Sequence, residues 1–191
     1  MDAECASKSA TYAVELQLKW PFNRNAFKLL SAIDGGVPED YRKFALRARP
    51  FEKGSIGYFK ANLFPVPCNS VQAWDDSSAT KTGFATKHAY RSWLRENRFR
   101  VLSQWIARCQ PLLVIGAGLT HSKDFFAITG TTEEPRVHST TMNGHSKRLY
   151  IAASGTVPVA VIPHLSGGAH SLNSNEAIAW AAARIRTELK I

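Results

Sequence analysis

Pro111-Leu112-Leu113-Val114-Ile115-Gly116 and Val157-Pro158-Val159-Ala160-Val161-Ile162 decide the fold class. Each is a near-continuous apolar run, the first closed by Gly116 and the second by Pro163. Strands covered on both faces read this way, because polar alternation disappears when neither face meets water. Helical periodicities surround the two runs. The longest spans 87–109, with Tyr90, Trp93, Leu94, Val101, Leu102, Trp105 and Ile106 as the expected buried stripe and a break expected near Asn97. Others cover 120–130 and 26–33, the latter ended by Asp34-Gly35-Gly36, and Pro38 opens a further helix to about Ala48. A last helix is expected from Asn173, which stands with Glu176 at capping-box spacing. Strands alternating with helices define an α/β chain with a short, mostly parallel sheet.

The remaining stretches read outward from that frame. Residues 136–151 have hairpin character around Asn143-Gly144. Residues 58–66 (YFKANLFPV) read as a short strand, and 69–86, rich in Ser, Asp and Thr, as an irregular loop. Residues 1–19 form a loosely ordered segment, or a first strand over 12–18 (YAVELQL), and 20–191 make one domain.

With 191 residues, 45% hydrophobic and 20% charged, the chain has the mix of a globular domain, which excludes disorder and coiled coil. Its three cysteines are few, odd in number and far apart, so neither a disulfide framework nor a CxxC metal site is expected. No apolar run reaches the ~20 residues of a membrane helix, and the opening residues lack a signal-peptide layout. A cytoplasmic, reducing location is the expectation. Lys and Arg number 24 against 15 acids, a net charge of +9. Such a surface suits a phosphate-rich partner, whose binding gains from counterion release.

Ligands of open α/β sheets collect beyond the carboxyl ends of the strands. Here those ends are 62–65, 116–118 and 164–168. The last is the sharpest: His164 follows a buried run directly, in a loop with Ser166, Gly167, Gly168, His170 and Ser171. A strand end holds an imidazole rigidly, while glycines admit a ligand to the backbone. The plainer alternative is a histidine that only caps the strand. Gly116-Ala117-Gly118 falls short of a dinucleotide fingerprint, since His121 occupies the position of the third glycine. GxxxxGK[ST], GxSxG and zinc-like histidine spacing are absent too. Arg91, Arg95 and Arg98 share one helix face, either as a phosphate-tracking stripe or as a solvated outer face.

Taken in order, these pieces resemble the uracil-DNA glycosylase superfamily. Arg49-Pro50-Phe51-x-x-Gly54 resembles its RPFxG loop, Asn62 the asparagine that reads the base, and His164-x-Ser166 its HPS-like motif. The resemblance implies a three-layer α/β/α sandwich that binds single- or double-stranded DNA and excises a flipped uracil or damaged base. It implies that Phe51 stacks on the base and that His164 stabilises the departing anion. Ser166, Gly167, Gly168 and Ser171 would then hold flanking phosphates, and Leu165 or Leu172 would be the wedge filling the vacated stack. The family's first motif, which positions water, has only a faint counterpart in 34–39, so Asp34 or Glu39 takes that role; Leu165 replaces the proline of HPS. The four cysteines of cluster-bearing branches are missing, so no cofactor is expected. The alternatives are a catalytically silent nucleic-acid-binding or regulatory module of the same fold and a small-molecule or nucleotide-binding α/β enzyme.

Overall fold

The computed structural model describes residues 12–66 and 73–191. Cys5, Cys68 and residues 1–11 of the expected loose N-terminal segment lie outside them. Four strands make one sheet: β1 (Val114–Ala117), β2 (Arg136–Met142), β3 (His145–Ala152) and β4 (Val159–Ile162). Their order is β1-β4-β3-β2. β1 pairs parallel with β4, Val114 opposite Val159 and Ala117 opposite Ile162. β3 runs antiparallel to both β4 and β2. The sheet is therefore mixed, not mostly parallel, because a hairpin supplies two of its four strands. Asn143 (φ 51°) and Gly144 (φ 74°) are both left-handed, as a two-residue type I′ turn requires.

Of the two apolar runs, only the second is buried on both faces: Val159, Ala160, Val161 and Ile162 are each 0% exposed. β1 lies at the sheet's edge, and Val114, Ile115 and Ala117 are half-buried. Along β4 the faces alternate. Ala160 and Ile162 join Leu149 and Ile151 of β3 under two helices, α2 (Pro21–Ile33) and α7 (Asn175–Leu189), which contribute Ala26, Leu29, Ile178, Ala181 and Ile185. Val159 and Val161 face the other way, against Phe125 and Phe126 of α6 (Ser122–Thr129). Behind α6 lies α5 (Lys87–Cys109), whose Phe99 and Leu102 meet Ile128. Helices thus cover both faces of the sheet. A smaller cluster joins α1 (Val14–Gln17), α2 and α3 (Tyr41–Ala48) through Val14, Phe27, Phe44 and Ala45, with Phe51 and Tyr58 packed on it.

Several local expectations are corrected. Residues 58–66 form no strand; the segment runs as irregular chain over the helices. The 12–18 stretch contains α1 instead of a strand, and the buried Gln17 amide there donates to the carbonyls of Tyr12 and Pro50. The Ser- and Asp-rich stretch after residue 73 contains α4 (Asp76–Thr82), capped by Asp75, which accepts from the Ser78 amide. In the last helix the cap is Ser174, not Asn173, because its hydroxyl reaches the Ala177 amide. α5 continues unbroken through Asn97, whose side chain donates back to the Trp93 carbonyl. Of its expected stripe, Trp93 (47%), Val101 (40%) and Trp105 (42%) are exposed. Trp105 meets Phe59 of the irregular segment edge-on, at 5.9 Å.

Gly116 carries the tightest steric constraint in the sheet. A Cβ placed there would sit 2.5 Å from the ring of Phe125. Gly116→Ala is therefore expected to cost ~1–3 kcal/mol through overpacking. In thermal denaturation that is a fall of roughly 2–4 °C in Tm per kcal/mol for a chain of this size. Adding Phe125→Leu should recover much of the loss. An unchanged Tm in the single variant would show that the ring yields freely.

Candidate functional site at the carboxyl end of the parallel pair

β4 ends at Ile162 and leads through the buried Pro163 to His164. β1 ends at Ala117, and the Gly118 amide donates to the Ile162 carbonyl at 2.8 Å, tying the two strand ends together. The loop after β4 folds around the imidazole. His164 Nδ1 lies 2.9 Å from the Ser166 carbonyl oxygen and 3.2 Å from both the Ser166 amide and its Oγ. The residue is exposed, and its ring leans on Phe22 with centroids 5.3 Å apart.

The loop is pinned from three sides. Asn25 of α2 donates to the Leu165 carbonyl, and the Leu172 amide to the His164 carbonyl at 2.9 Å. Lys147 of β3, only 5% exposed, sends its ammonium to the carbonyls of Ala169 and Ser171. The Ser171 hydroxyl donates to the Gly167 carbonyl, so it closes the loop internally. Leu165 and Leu172 are buried in the main core, which leaves neither exposed as a wedge. Ser166 is half-buried, and Gly167 and Gly168 are exposed.

The facing wall comes from residues 49–64. Arg49 (φ 44°) and Phe51 (φ 64°) are left-handed without being glycine, a strained state for an aromatic residue. Ion pairs from Arg49 to Glu52 (2.7 Å) and Glu15 (3.3 Å) hold that turn. The bonded guanidinium keeps the Glu52 carboxyl below its ordinary range, and the Val14 amide also donates to it. Phe51 stacks one face on Phe27, centroids 5.8 Å apart. Lys60 joins the walls: its ammonium donates to Asn23 Oδ1 (2.9 Å) and to the Tyr12 hydroxyl (3.0 Å). It also lies 4.8 Å from the Phe22 ring centre and 5.8 Å from that of Phe51. A cavity of about 650 Å³ opens here, lined by Tyr12, Phe51, Glu52, Tyr58, Lys60 and Asn62 among others. Burial pushes the Tyr58 phenol up from its ordinary value.

Asn62 stands in the irregular segment, not on a strand, and its carbonyl accepts two bonds from Arg98, at 3.0 and 2.9 Å. Two residues on, Phe64 meets the ring of His121, which follows β1, at 4.9 Å. His164, Lys60, Asn62 and Phe64 therefore gather at the same end of the parallel pair. The arginine stripe is engaged by the protein's own groups. Arg95 pairs bidentately with the buried Asp124 (2.7 and 3.2 Å), which also meets His121, and that carboxylate holds the guanidinium pKa above its ordinary value. Arg91 lies over Phe64. Asp34 ends α2 and pairs with Arg47 at 2.7 Å. Phe22, beside His164, is near the other end of that helix, about 18 Å away at ~1.5 Å per residue. Glu39 accepts from Asn175 at 2.8 Å.

Lys60, Phe22, Asn23 and the His121–Asp124 pair escaped the sequence reading. Among the described residues, no three or more His, Cys, Asp or Glu side chains are grouped to hold a metal. No helix among them is long and apolar enough to cross a membrane. Compared with family models, curated proteins and solved structures, the chain matches none. Fold and site define an α/β protein with a mixed sheet and a cation- and aromatic-lined crevice beyond its parallel pair.

Proposed function

We propose that this chain is a nucleic-acid-binding protein of the uracil-DNA glycosylase type, which holds an extruded base in the crevice and cleaves its N-glycosidic bond. One observation carries the reading: His164 and the Phe51–Lys60–Asn62 wall stand at one end of the sheet, bridged by Phe22. An extruded base must be stacked and hydrogen-bonded once it leaves the helix. The aromatic rings around Lys60 supply the first need, and Asn62 with the Lys60 ammonium the second. In the reaction, the C1′–N bond breaks and its electron pair goes to the base. Water oxygen bonds to C1′, and the water proton ends on the released base. His164 donates a hydrogen bond to the oxygen where that negative charge collects.

The test is release of free base from a uracil-containing single-stranded oligonucleotide at low salt, alongside binding across a salt series. Release, with affinity falling steeply as salt rises, is the expected result. No binding would overturn the proposal. Binding without release would favour a second reading, a silent binder of the same fold. That reading has its own support: Asp34 and Glu39, the candidates to position water, are engaged by Arg47 and Asn175. Binding that ignores salt would point to a small neutral ligand.

A further inference from the structure

One face of α5 carries aromatic surface that water reaches. Phe59 is 74% exposed and Trp105 42%, and the two rings meet edge-on, their planes 88° apart. An edge-on pair covers at most one ring face, so flat apolar surface stays open. Val101, four residues before Trp105, extends that face, and Arg108, three after it, ends it with a cation. Glu96, the one acid of the helix, stands half a turn round from Trp105, nine residues away at ~100° each.

The patch is continuous with the crevice. Phe59 lines the crevice cavity and touches Trp105, while Asn62, which lines the same cavity, gives its carbonyl to Arg98. Arg98 and Trp105 are seven residues apart, ~10.5 Å along the helix, which is about the span of three extended residues. Residues 59–62 therefore lie stretched along α5, and crevice wall and aromatic patch form one surface. Lys53 on the crevice side and Arg108 beyond Trp105 supply positive charge, and neither meets a carboxylate among the described residues. Glu52, the acid in the cavity lining, is already paired with Arg49.

Open ring faces between unpaired cations complement a polyanion that carries flat apolar units. We infer that Phe59 and Trp105 are a stacking platform for the base next to the extruded one, and that the partner is single-stranded nucleic acid. Every base has a face to stack, so such a platform tolerates any sequence. In a duplex the neighbouring base is paired and already stacked, and its face is not on offer. The inference rests on the function proposed above and adds to it the strand form of the substrate.

The test is fluorescence anisotropy of a labelled single-stranded oligonucleotide and of its duplex, each across a salt series. The parent is compared with Trp105→Leu, Phe59→Leu, Trp105→Phe and Arg108→Gln, and circular dichroism should show all of them folded. Leucine keeps apolar bulk and removes the ring. Each leucine variant should bind the single strand about tenfold more weakly. Its slope of log affinity against log salt should not change, since stacking releases no counterions. Trp105→Phe should stay near the parent, and Arg108→Gln should make the slope shallower by about 0.7. Duplex affinity should be lower than single-strand affinity and equal in parent and leucine variants. An abasic nucleotide on one side of the uracil should weaken parental binding as Trp105→Leu does, and the two losses should not add. Unchanged single-strand affinity in the folded leucine variants would overturn the platform alone, because parental binding would keep the crevice reading. Equal losses on duplex and single strand would overturn it too. Self-association of the parent that Trp105→Leu abolishes, with oligonucleotide affinity unchanged, would assign the patch to a second copy of the chain instead. A parent that binds neither form would overturn both proposals.

Discussion

His164→Ala is expected to slow base release by about 10²–10³-fold, the usual cost of removing one donor aimed at developing negative charge. The size follows from timing. In the proposed reaction the imidazole meets little charge in the bound ground state and most of it as the glycosidic bond breaks, so its loss falls on kcat more than on KM. The fold should tolerate the change. His164 is exposed, and the bond that anchors its neighbourhood, from the Leu172 amide, goes to the main-chain carbonyl, which alanine keeps. A stability change within about 1 kcal/mol is expected for such a position. Single-turnover release with His164→Gln alongside separates the roles, since glutamine retains a donor. A folded alanine variant with parental kcat would remove His164 from the chemistry and leave it as a cap on β4.

Lys147→Met is expected to have the largest effect on stability, about 2–4 kcal/mol. The side chain shares the face of β3 with Leu149 and Ile151, directed into the layer that α7 covers. There its ammonium joins the Ala169 and Ser171 carbonyls. A bond to a charged donor contributes ~1.5–3 kcal/mol, and the buried Ser171 carbonyl would be left without its partner. Methionine fits the hydrocarbon part of the site, so the loss isolates the ammonium. Tm should fall by roughly 5–15 °C at ~2–4 °C per kcal/mol. Hydrogen exchange should rise first in 164–173, the segment the lysine holds. Because that loop carries His164, base release should weaken with it. An unchanged Tm would show that water replaces the ammonium at little cost.

Much of the architecture was legible because it is local. Asn143-Gly144 specifies its turn by backbone conformation alone, and the apolar run ending at Ile162 has only one comfortable place, the middle of a sheet. Strand polarity was not legible, since apolar runs do not say which neighbour they join; that depended on the hairpin inserting β3 beside β4. Residues 58–66 have strand composition but no ladder to pair with, and a side chain, Arg98, takes one of their carbonyls instead. The arginine spacing on α5 was read correctly as one face, but which way it looks was set by Asp124, on another helix. At the site, His164 could be placed because it follows a strand directly. Lys60 could not, because its three aromatic neighbours come from Tyr12, Phe22 and Phe51, scattered along the chain and joined only by folding.

The sheet's order has one more consequence, for behaviour in concentrated solution. Among the described residues, β1 and β2 each have a strand on one side only, so each offers a row of backbone groups to a passing chain. The two edges are unequal templates. β1 has four residues and is cut off by Gly118, whose φ of 118° turns the chain out of extended geometry. β2 is seven residues long, but Arg136, paired with Glu188 of α7, puts charge at its start, and Ser139, Thr140 and Thr141 keep its middle polar. Brevity blunts one edge and charge with polarity the other, so the molecule resists edge-to-edge aggregation without closing its sheet.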